Sequence, residues 1–478
     1  METSVEPHVE TLLKKERHDQ HWKELCEKFL PLEIEGSIWR YNRKSRHGEP
    51  SQGWKIHVSA TVLNACEIFK KTAPFLNSLD VQFKAPASLD ELTRLNSGLQ
   101  FGYSQVGKFI TVYPGSAGQA VQLAKKLHQL TGEFVSPVVP FDEQFLPYSC
   151  VYYRYGAFRS INRTNSNGDV EPCIRDPHGE LVPDDRFRAF PDWLSDPFKD
   201  PRSNIKKHSN EKTPLNTNYQ VIRALTQRGK GGVYLAIDLS MKMARLCVIK
   251  EGRRNGEVNW NGLDGYTLLK NEFRVLTELG KISSDYPKVL SSFEMNGNYY
   301  LVMEYTEGES LRDIMKIRRR RFSIPQIVKF SIMLAEIIRK LHRDGWIWTD
   351  CKPANLIVTP QGKLRPVDFE GAYRTGSQSI SDWRTAEFSL PGELLPKDRP
   401  GEAGDLYSLG AVLYFLITGN FFQPKDPVPI SKLRQGVPKI LRKTVNELIR
   451  PRANEKPLSA LEVKEVFESL WRNVKAEN

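Results

Sequence analysis

Lys55 and His57 stand two residues apart in GWKIHVSA, residues 53–60, and in a strand that spacing sends both side chains from one face. A lysine whose pKa is depressed by burial or by neighbouring cations can take a proton near neutrality, and an imidazole can return one to a leaving group. More cations fall in other strand-like pieces: Lys84 in VQFKAP, Lys108 in GKFITVYP and Arg154 in VYYRYGAF. Together they have the parts to bind a phosphoryl group and expel it by β-elimination, with no metal needed. A solvated strand face has the same composition, so spacing alone leaves open whether these groups converge.

A second set lies in LHRDGWIWTDCKPANLIV, residues 341–358. Metal-assisted phosphoryl transfer uses an Asp base and, five residues later on the same loop, an Asn that holds magnesium. Thr349 stands five after Asp344 and cannot do this, whereas Asn355 stands five after Asp350, with Lys352 between. Asp350 is therefore the candidate base, and His342, Arg343 and Asp344 close the preceding helix. Gly229, Gly231 and Gly232 in RGKGGVYLAID sit in a strand-turn-strand setting where absent Cβ atoms let N–H groups approach phosphates. Lys250 in LCVIKEG and Glu272 in YTLLKNEFRVLTEL match a phosphate-positioning ion pair, and Asp368 in PVDFEGA stands where a second metal-holding group belongs. YYLVMEY, with Glu304, resembles a strand leading to an adenine-binding hinge.

These signals occur in the order of the protein-kinase fold, which this half resembles over about 250 residues. It departs from the pattern in a short glycine turn, in Thr349 where an Arg usually precedes the base, and in Glu370 followed by Gly371 after Phe369. All charged members remain, so an active kinase is expected, one not switched by phosphorylation of its activation loop.

The elements that must position these groups divide the chain. At 478 residues two domains are the first expectation. Residues 1–200 mix strand-like pieces with helices such as GQAVQLAKKLHQLTG without regular alternation, an α+β pattern. Residues 201–217 are polar and read as a linker, and 218–478 form the two-lobed kinase-like part. Ser323 can cap a helix there, with Pro325 in its first turn and Ile327, Phe330, Leu334, Ile337 and Leu341 at helical spacing. LGAVLYFLITG, from 409, is too short to span a bilayer and reads as a buried helix.

A net charge of +12 favours anionic partners. Its basic runs, KIRRRR among them, lack the interleaved aromatics of a single-strand nucleic-acid binder, so nucleic acid is not expected as a partner. Six scattered cysteines without C-x-x-C and a polar N-terminus fit reduced thiols in a cytoplasmic protein.

WKIHVSA, VQFKAP, GKFITVYP, VYYRYGAF and DDRFRAFPDWLSDPF, followed by GGVY, VIKEGR and DGYTLLKNEF, resemble the class III lanthipeptide synthetases. The resemblance implies a phosphothreonine-lyase-like domain followed by a Ser/Thr kinase domain. Together they would phosphorylate Ser and Thr of a leader-bearing precursor peptide with ATP or another nucleoside triphosphate and Mg2+, then eliminate phosphate to dehydroalanine and dehydrobutyrine. It implies His57 as general acid and Lys84 as general base, with Lys55, Lys108, Arg154 and Arg186 binding phosphate or stabilising the enolate. In the kinase it implies Asp350 as base, Lys352 on the transferred group, Asn355 and Asp368 on magnesium, and Lys250 with Glu272 positioning ATP. The family carries a further cyclase domain, whereas this sequence ends after LSALEVKEVFESLWRNVKAEN. A separate cyclase, a dehydrated product and a shortened chain all remain open. The alternative reading is a regulatory Ser/Thr kinase whose N-terminal half binds a phosphorylated ligand; a non-catalytic scaffold is disfavoured by the full set of carboxylates.

Overall fold

The computed structural model describes residues 7–164, 167–199, 213–377, 386–391, 400–450 and 458–476. The chain forms two compact units: one comprises Met1–Met243, Lys250–Thr267 and Glu294–Tyr300, the other Ala244–Ile249, Leu268–Phe293 and Leu301–Asn478.

The first unit opens with α1 (Pro7–Phe29), β1 (Leu32–Glu33), β2 (Trp39–Tyr41), β3 (Gln52–Val58), α2 (Ala65–Ser78), β4 (Gln82–Pro86) and α3 (Leu89–Ser97). It continues through β5 (Ile110–Tyr113), α4 (Ala117–Thr131), β6 (Glu143–Gln144) and β7 (Val151–Ala157). The strands make one seven-stranded sheet in the order β1-β2-β4-β5-β3-β7-β6. Every pair is antiparallel, and the register decides what meets what. Tyr41 opposes Lys84, Lys84 opposes Thr111, His57 opposes Thr111 and also Tyr152, and Lys55 opposes Arg154. Directly opposed residues leave the same face. Tyr41, Lys84, Thr111, His57 and Tyr152 thus form one row across five strands, with Lys55 and Arg154 two residues along on that face.

The alternate positions build the core. Ile56, Val58, Phe83, Ile110, Val112 and Tyr153 are buried with Trp22, Ile68, Phe69, Leu123 and Leu127 from α1, α2 and α4. The period of two in each strand therefore separates an apolar face under helices from a face that carries Lys55, His57, Lys84 and Arg154. Ser88 and Ser116 start α3 and α4 by accepting the Glu91 and Gln119 N–H groups at 3.2 Å each. A left-handed Gly98, φ 70°, ends α3.

β8 (Asn162–Thr164), β9 (Val170–Arg175) and β10 (Leu181–Pro183) form a three-stranded sheet. Most of the expected linker, residues 201–212, lies outside the described residues; a short α5 (Pro214–Thr217) then precedes β11 (Tyr219–Arg228). β11 pairs antiparallel with β12 (Gly231–Asp238), Arg228 opposing Gly231, so Gly229 and Lys230 make the tight turn. The chain goes on through β13 (Arg245–Gly252), α6 (Gly265–Ile282), β14 (Val289–Met295) and β15 (Asn298–Glu304).

The second unit continues with β16 (Glu309–Ser310), α7 (Leu311–Lys316) and α8 (Ile324–Arg343). The α8 N-terminus is a reciprocal capping box between Ser323 and Gln326, and Ile327, Phe330, Leu334, Ile337 and Leu341 are buried, as their spacing predicts. After α8 come β17 (Trp346–Ile347), β18 (Leu356–Val358), β19 (Leu364–Pro366) and β20 (Tyr373–Arg374), then α9 (Pro400–Thr418). β17 pairs with β20, and β16, β18 and β19 form a small sheet. The run from Leu409 to Ile417 in α9 is entirely buried, and among the described residues no helix is long and apolar enough to cross a membrane. All six cysteines are buried free thiols.

Candidate active sites

The polar face of the seven-stranded sheet brings together most of the cations expected there. His57 Nδ1 lies 2.5 Å from Oδ2 of Asp142, and Lys108 Nζ lies 3.4 Å from the other oxygen of the same carboxylate. Arg154 donates to Asp184 Oδ1 at 2.8 Å and to the Asp185 carbonyl at 3.1 Å. Lys84 sits 4.0 Å over the Trp39 ring and 5.9 Å over that of Tyr41. Arg186 is exposed on the loop after β10, yet its charge is felt at Lys84 and Lys108.

Lys108 is not on a strand, contrary to expectation. Gly107 takes φ 75°, a left-handed turn that postpones β5 until Ile110. Its ammonium reaches the site from that turn.

Burial dominates the electrostatics. It pushes Lys55 down to about 7, with Arg154 adding to the effect, and Lys84 down to about 7, helped by Lys108 and Arg186. The aromatic faces beside Lys84 favour its charged form but do not offset desolvation. Lys108 is lowered for the same reason, against the pull of Asp142. Burial lowers His57 to about 4, opposed by Asp142. Burial would raise Asp142, but Lys108 and His57 outweigh it and hold the carboxyl at about 2. The arrangement is a desolvated cation pocket with two neutral-capable amines, suited to an anion with a proton to lose.

Asp142 and Asp184 are the members that sequence reasoning missed. Asp142 follows Phe141, which has φ 64°, in a loop with no motif spacing to the strands. Asp184 begins the DDRF stretch that also carries Arg186, but nothing local ties it to Arg154.

The second site is built on the loop between β17 and β18. Asp350 Oδ2 accepts from Lys352 Nζ at 2.6 Å and from Asn355 Nδ2 at 3.0 Å, and the same amide also donates to the Asp350 carbonyl at 2.9 Å. The five-residue spacing thus closes on itself. Burial raises the Asp350 carboxyl, Lys352 opposes this, and Asp368 and Glu370 raise it further. Asp405, fully buried in α9, takes the N–H groups of Trp348 and Thr349 at 2.9 and 2.8 Å and meets His342 Nε2 at 2.9 Å. That carboxylate fixes the loop's entry, where Thr349 has φ 71°.

Asp368, φ 69°, leads the segment after β19, and its carbonyl accepts the Trp348 indole N–H at 2.9 Å. Trp348 stacks on Phe369 at 5.3 Å between ring centroids. Glu272, fully buried on α6, accepts the Phe369 N–H at 3.0 Å, and Asn271 donates to the carbonyls of Glu370 and Ala372 at 3.0 Å each. These bonds set the backbone where Glu370 replaces glycine.

Lys250 lies on β13 and Glu304 ends β15, its side chain exposed and its N–H bonded to the Lys288 carbonyl at 2.9 Å. Gly231 and Gly232 open β12. Gly229 has a partner that its sequence setting did not announce: its N–H donates to the Ser97 carbonyl of α3 at 2.9 Å. A Cβ at Gly229 would fall 1.7 Å from the Asn96 carbonyl oxygen.

Asp368 and Asn355 offer a carboxylate and an amide oxygen, hard donors of the kind a divalent ion accepts while phosphates and waters complete its shell. Among the described residues no group of three His, Cys, Asp or Glu could cage a metal.

Comparison with known proteins accounts for both halves. A RamC N-terminal domain model matches residues 32–210, and a protein kinase domain model matches 219–474. The chain is 26% identical over 397 residues to a probable SapB synthase of Streptomyces coelicolor, a match covering 79% of this chain and 41% of that protein. It is 28% identical over 284 residues to serine/threonine-protein kinase C of Synechocystis, covering 54% of this chain and 51% of that one. With serine/threonine-protein kinase PknA of Nostoc it shares 29% over 228 residues, 44% of this chain and 38% of the relative. The chain thus spans about half the length of these relatives, or less. Kinase chemistry implies use of ATP and a divalent metal. The chain belongs to the protein kinase family and carries a RamC N-terminal domain ahead of its kinase domain, the domain pair of the class III lanthipeptide synthetases.

Proposed function

We propose that the chain is a cytoplasmic dehydratase of a ribosomally made, leader-bearing precursor peptide. It phosphorylates Ser and Thr and then eliminates the phosphate, leaving dehydroalanine or dehydrobutyrine. The observation that carries this reading is the row of Lys84, Thr111 and His57, with Lys55 and Arg154 on the same face, in a chain that also holds Asp350 bonded to Lys352 and Asn355.

In the kinase half Asp350 accepts the substrate hydroxyl proton as the oxygen attacks the γ-phosphorus of ATP and the bond to the ADP leaving group breaks, and Lys352 stabilises charge on the transferred group. Asn355 and Asp368 would hold Mg2+, which would neutralise charge on the nucleotide phosphates. Lys250, Glu272 and the turn of Gly229, Gly231 and Gly232 position ATP, with the strand ending at Glu304 leading to the adenine.

In the lyase half Lys55, Lys108, Arg154 and Arg186 bind the phosphate of the new phosphoresidue. The neutral amine of Lys84 takes the α-proton, the Cβ–O bond breaks, and a double bond forms between Cα and Cβ. His57 gives the departing phosphate a proton from Nε2, because Nδ1 is committed to Asp142. His57 is neutral in the unliganded site, and the incoming dianion raises its pKa towards the charged form. His57 and Lys84 stand one strand apart on either side of Thr111, roughly 10 Å between Cα atoms. That distance leaves room for one residue's Cα and phosphate between the side-chain tips. No metal is needed for this step, and a cyclase, separate or joined in a longer polypeptide, is the partner expected to use the product.

The test is the time course of peptide mass with MgATP and a Ser/Thr-containing candidate precursor, alongside His57→Ala and Lys84→Ala. Transient addition of phosphate followed by net loss of water, with both variants stalled at phosphopeptide, is the expected result. Stable phosphopeptide from the wild-type protein, together with a synthetic phosphopeptide that resists elimination, would favour a regulatory kinase with a phospho-ligand module instead.

A further inference from the structure

The glycine turn between β11 and β12 is held from outside the kinase half. Gly229 donates to the Ser97 carbonyl at 2.9 Å, and the Asn96 carbonyl oxygen occupies the space a Cβ would need. Asn96 is itself fixed, its side chain donating to the Ala60 carbonyl at 3.0 Å and accepting the Gly107 N–H at 3.1 Å. The seat is therefore held by its own hydrogen bonds and belongs to the first domain.

Arg253, three residues after Lys250, joins the two sides. Its guanidinium donates to the Arg228 carbonyl at 2.7 Å, and its backbone N–H donates to the Lys230 carbonyl at 2.8 Å, so it holds both arms of the turn. The other guanidinium nitrogen meets Glu251 at 2.8 Å, and the plane lies 4.7 Å over the ring of Tyr103, just beyond α3. Glu251 is in turn bound by Tyr234, Asn298 and Tyr300 at 2.9, 3.0 and 3.2 Å. The loop beyond Arg253 is tied down as well: Lys14 of α1 donates to the Trp260 carbonyl at 3.1 Å, and His18 packs edge-on against that indole.

We propose that Arg253 is a positioning residue for phosphoryl transfer, holding the glycine turn through the Arg228 and Lys230 carbonyls while seated on Tyr103 of the RamC-type domain. The N-terminal domain is then a structural part of the nucleotide site, and the glycine at 229 answers to the Asn96 seat as well as to phosphate. The proposal rests on the reading that this turn faces the nucleotide.

The experiment uses the full chain and measures KM and kcat for ATP with a Ser/Thr peptide, and separately the elimination of phosphate from a synthetic phosphothreonine peptide. Arg253→Ala is expected to raise the ATP KM by about tenfold with a much smaller change in kcat, the signature of lost ground-state binding. Its elimination rate should stay within about twofold of wild type, since Arg253 touches no group of the cation pocket. Arg253→Lys keeps a charge over Tyr103 but cannot serve the Arg228 carbonyl and Glu251 at once, and should fall between.

Should Arg253→Ala fail to fold, Tyr103 decides. Tyr103→Phe keeps the ring but loses the hydroxyl beside the guanidinium and should raise the ATP KM by no more than about twofold, whereas Tyr103→Ala should raise it by about three- to tenfold. Wild-type KM in Arg253→Ala or in Tyr103→Ala overturns the proposal. Lys250→Met separates the two levels: if it abolishes phosphorylation while those variants keep their KM, positioning alone is wrong. If Lys250→Met also leaves ATP use unchanged, the nucleotide reading of the turn fails and the proposal with it.

Discussion

The two candidate sites are electrostatic opposites. On the seven-stranded sheet, Lys55, Lys84, Lys108 and Arg154 are pressed together out of water, with two carboxylates, Asp142 and Asp184, to balance them. In the second unit carboxylates cluster instead, Asp350 being raised by Asp368 and Glu370 as well as by burial, with Lys352 as the opposing cation. Each site holds like charges at a cost in folding free energy, and each would recover that cost from a ligand of opposite sign: a phosphorylated residue in one, a metal-nucleotide complex in the other. Like-charge crowding of this kind is what marks both clusters as candidate sites.

The largest effects should come from removing one member of each site. Asp350→Asn is expected to lower phosphorylation by about 10² to 10⁴ and to leave elimination from a synthetic phosphopeptide intact; Lys84→Met should do the reverse. Peptide mass spectrometry on both variants and both substrates checks the pair. A variant that damaged both reactions equally while remaining folded would mean that the two sites are not separate.

The same lysine makes a pH prediction. Burial depresses Lys84 from its usual 10.5 to about 7, so below pH 7 it is charged and cannot act as a base. Elimination measured as kcat/KM should therefore rise with pH through about 7. The unfolded lysine binds its proton below about 10.4 and the folded one only below about 7, so stability is lost as pH falls across that interval. Lys55 behaves alike. Lys84→Met should flatten this loss and raise the melting temperature at pH 7 while abolishing elimination. Inorganic phosphate should stabilise the wild type more than the variant.

Asp142 is expected to give a smaller effect. It touches His57 and Lys108 but sits apart from the Lys84 amine. Asp142→Asn keeps the shape and loses the charge, which should cost elimination about 10- to 100-fold, the range for loss of a carboxylate that orients a metal-ligating imidazole. Phosphorylation should be unchanged. A pH profile for elimination that shifts in Asp142→Asn would mark an electrostatic role; an unshifted profile with the same loss would mark a purely steric one.

The two sites also differ in how much of each was legible. Asp350 and Asn355 could be paired from sequence because a single loop carries both, and the spacing that allows the bond is fixed by the chain itself. Ser323 and the buried positions of α8 were legible for the same reason: capping and helical period are local. Lys55 and His57 could be placed on one face by the period of a strand, but Lys84 joins them only through β5, and strand order is a long-range property. Asp142 was out of reach, since it arrives from a loop with no motif spacing to the strands; Asp184 stands beside Arg186 in DDRF, but its bond to Arg154 depends on long-range folding. Gly229 illustrates a subtler gap. Its lack of a Cβ suggests room for N–H groups to approach phosphates, and nothing in the sequence says that the Asn96 carbonyl lies where a Cβ would fall.

The smallest expected effect tests how the catalytic loop is held. In kinases switched by a phosphorylated activation loop, an Arg before the base binds that phosphate; here Thr349 occupies the place. Its N–H is taken by the buried Asp405, which also takes the Trp348 N–H and meets His342, so three contacts order the loop without any phosphate. A Cβ at Gly371 would fall 2.7 Å from the Thr349 hydroxyl, so the side chain is packed against the segment that follows Asp368. Phosphatase treatment should therefore leave ATP turnover within about twofold of the untreated protein, whereas Asp405→Asn, which keeps the volume and removes the charge that these donors share, should lower it by about tenfold or more. A large loss after phosphatase would mean that a phosphate, and not Asp405 alone, completes the loop's support.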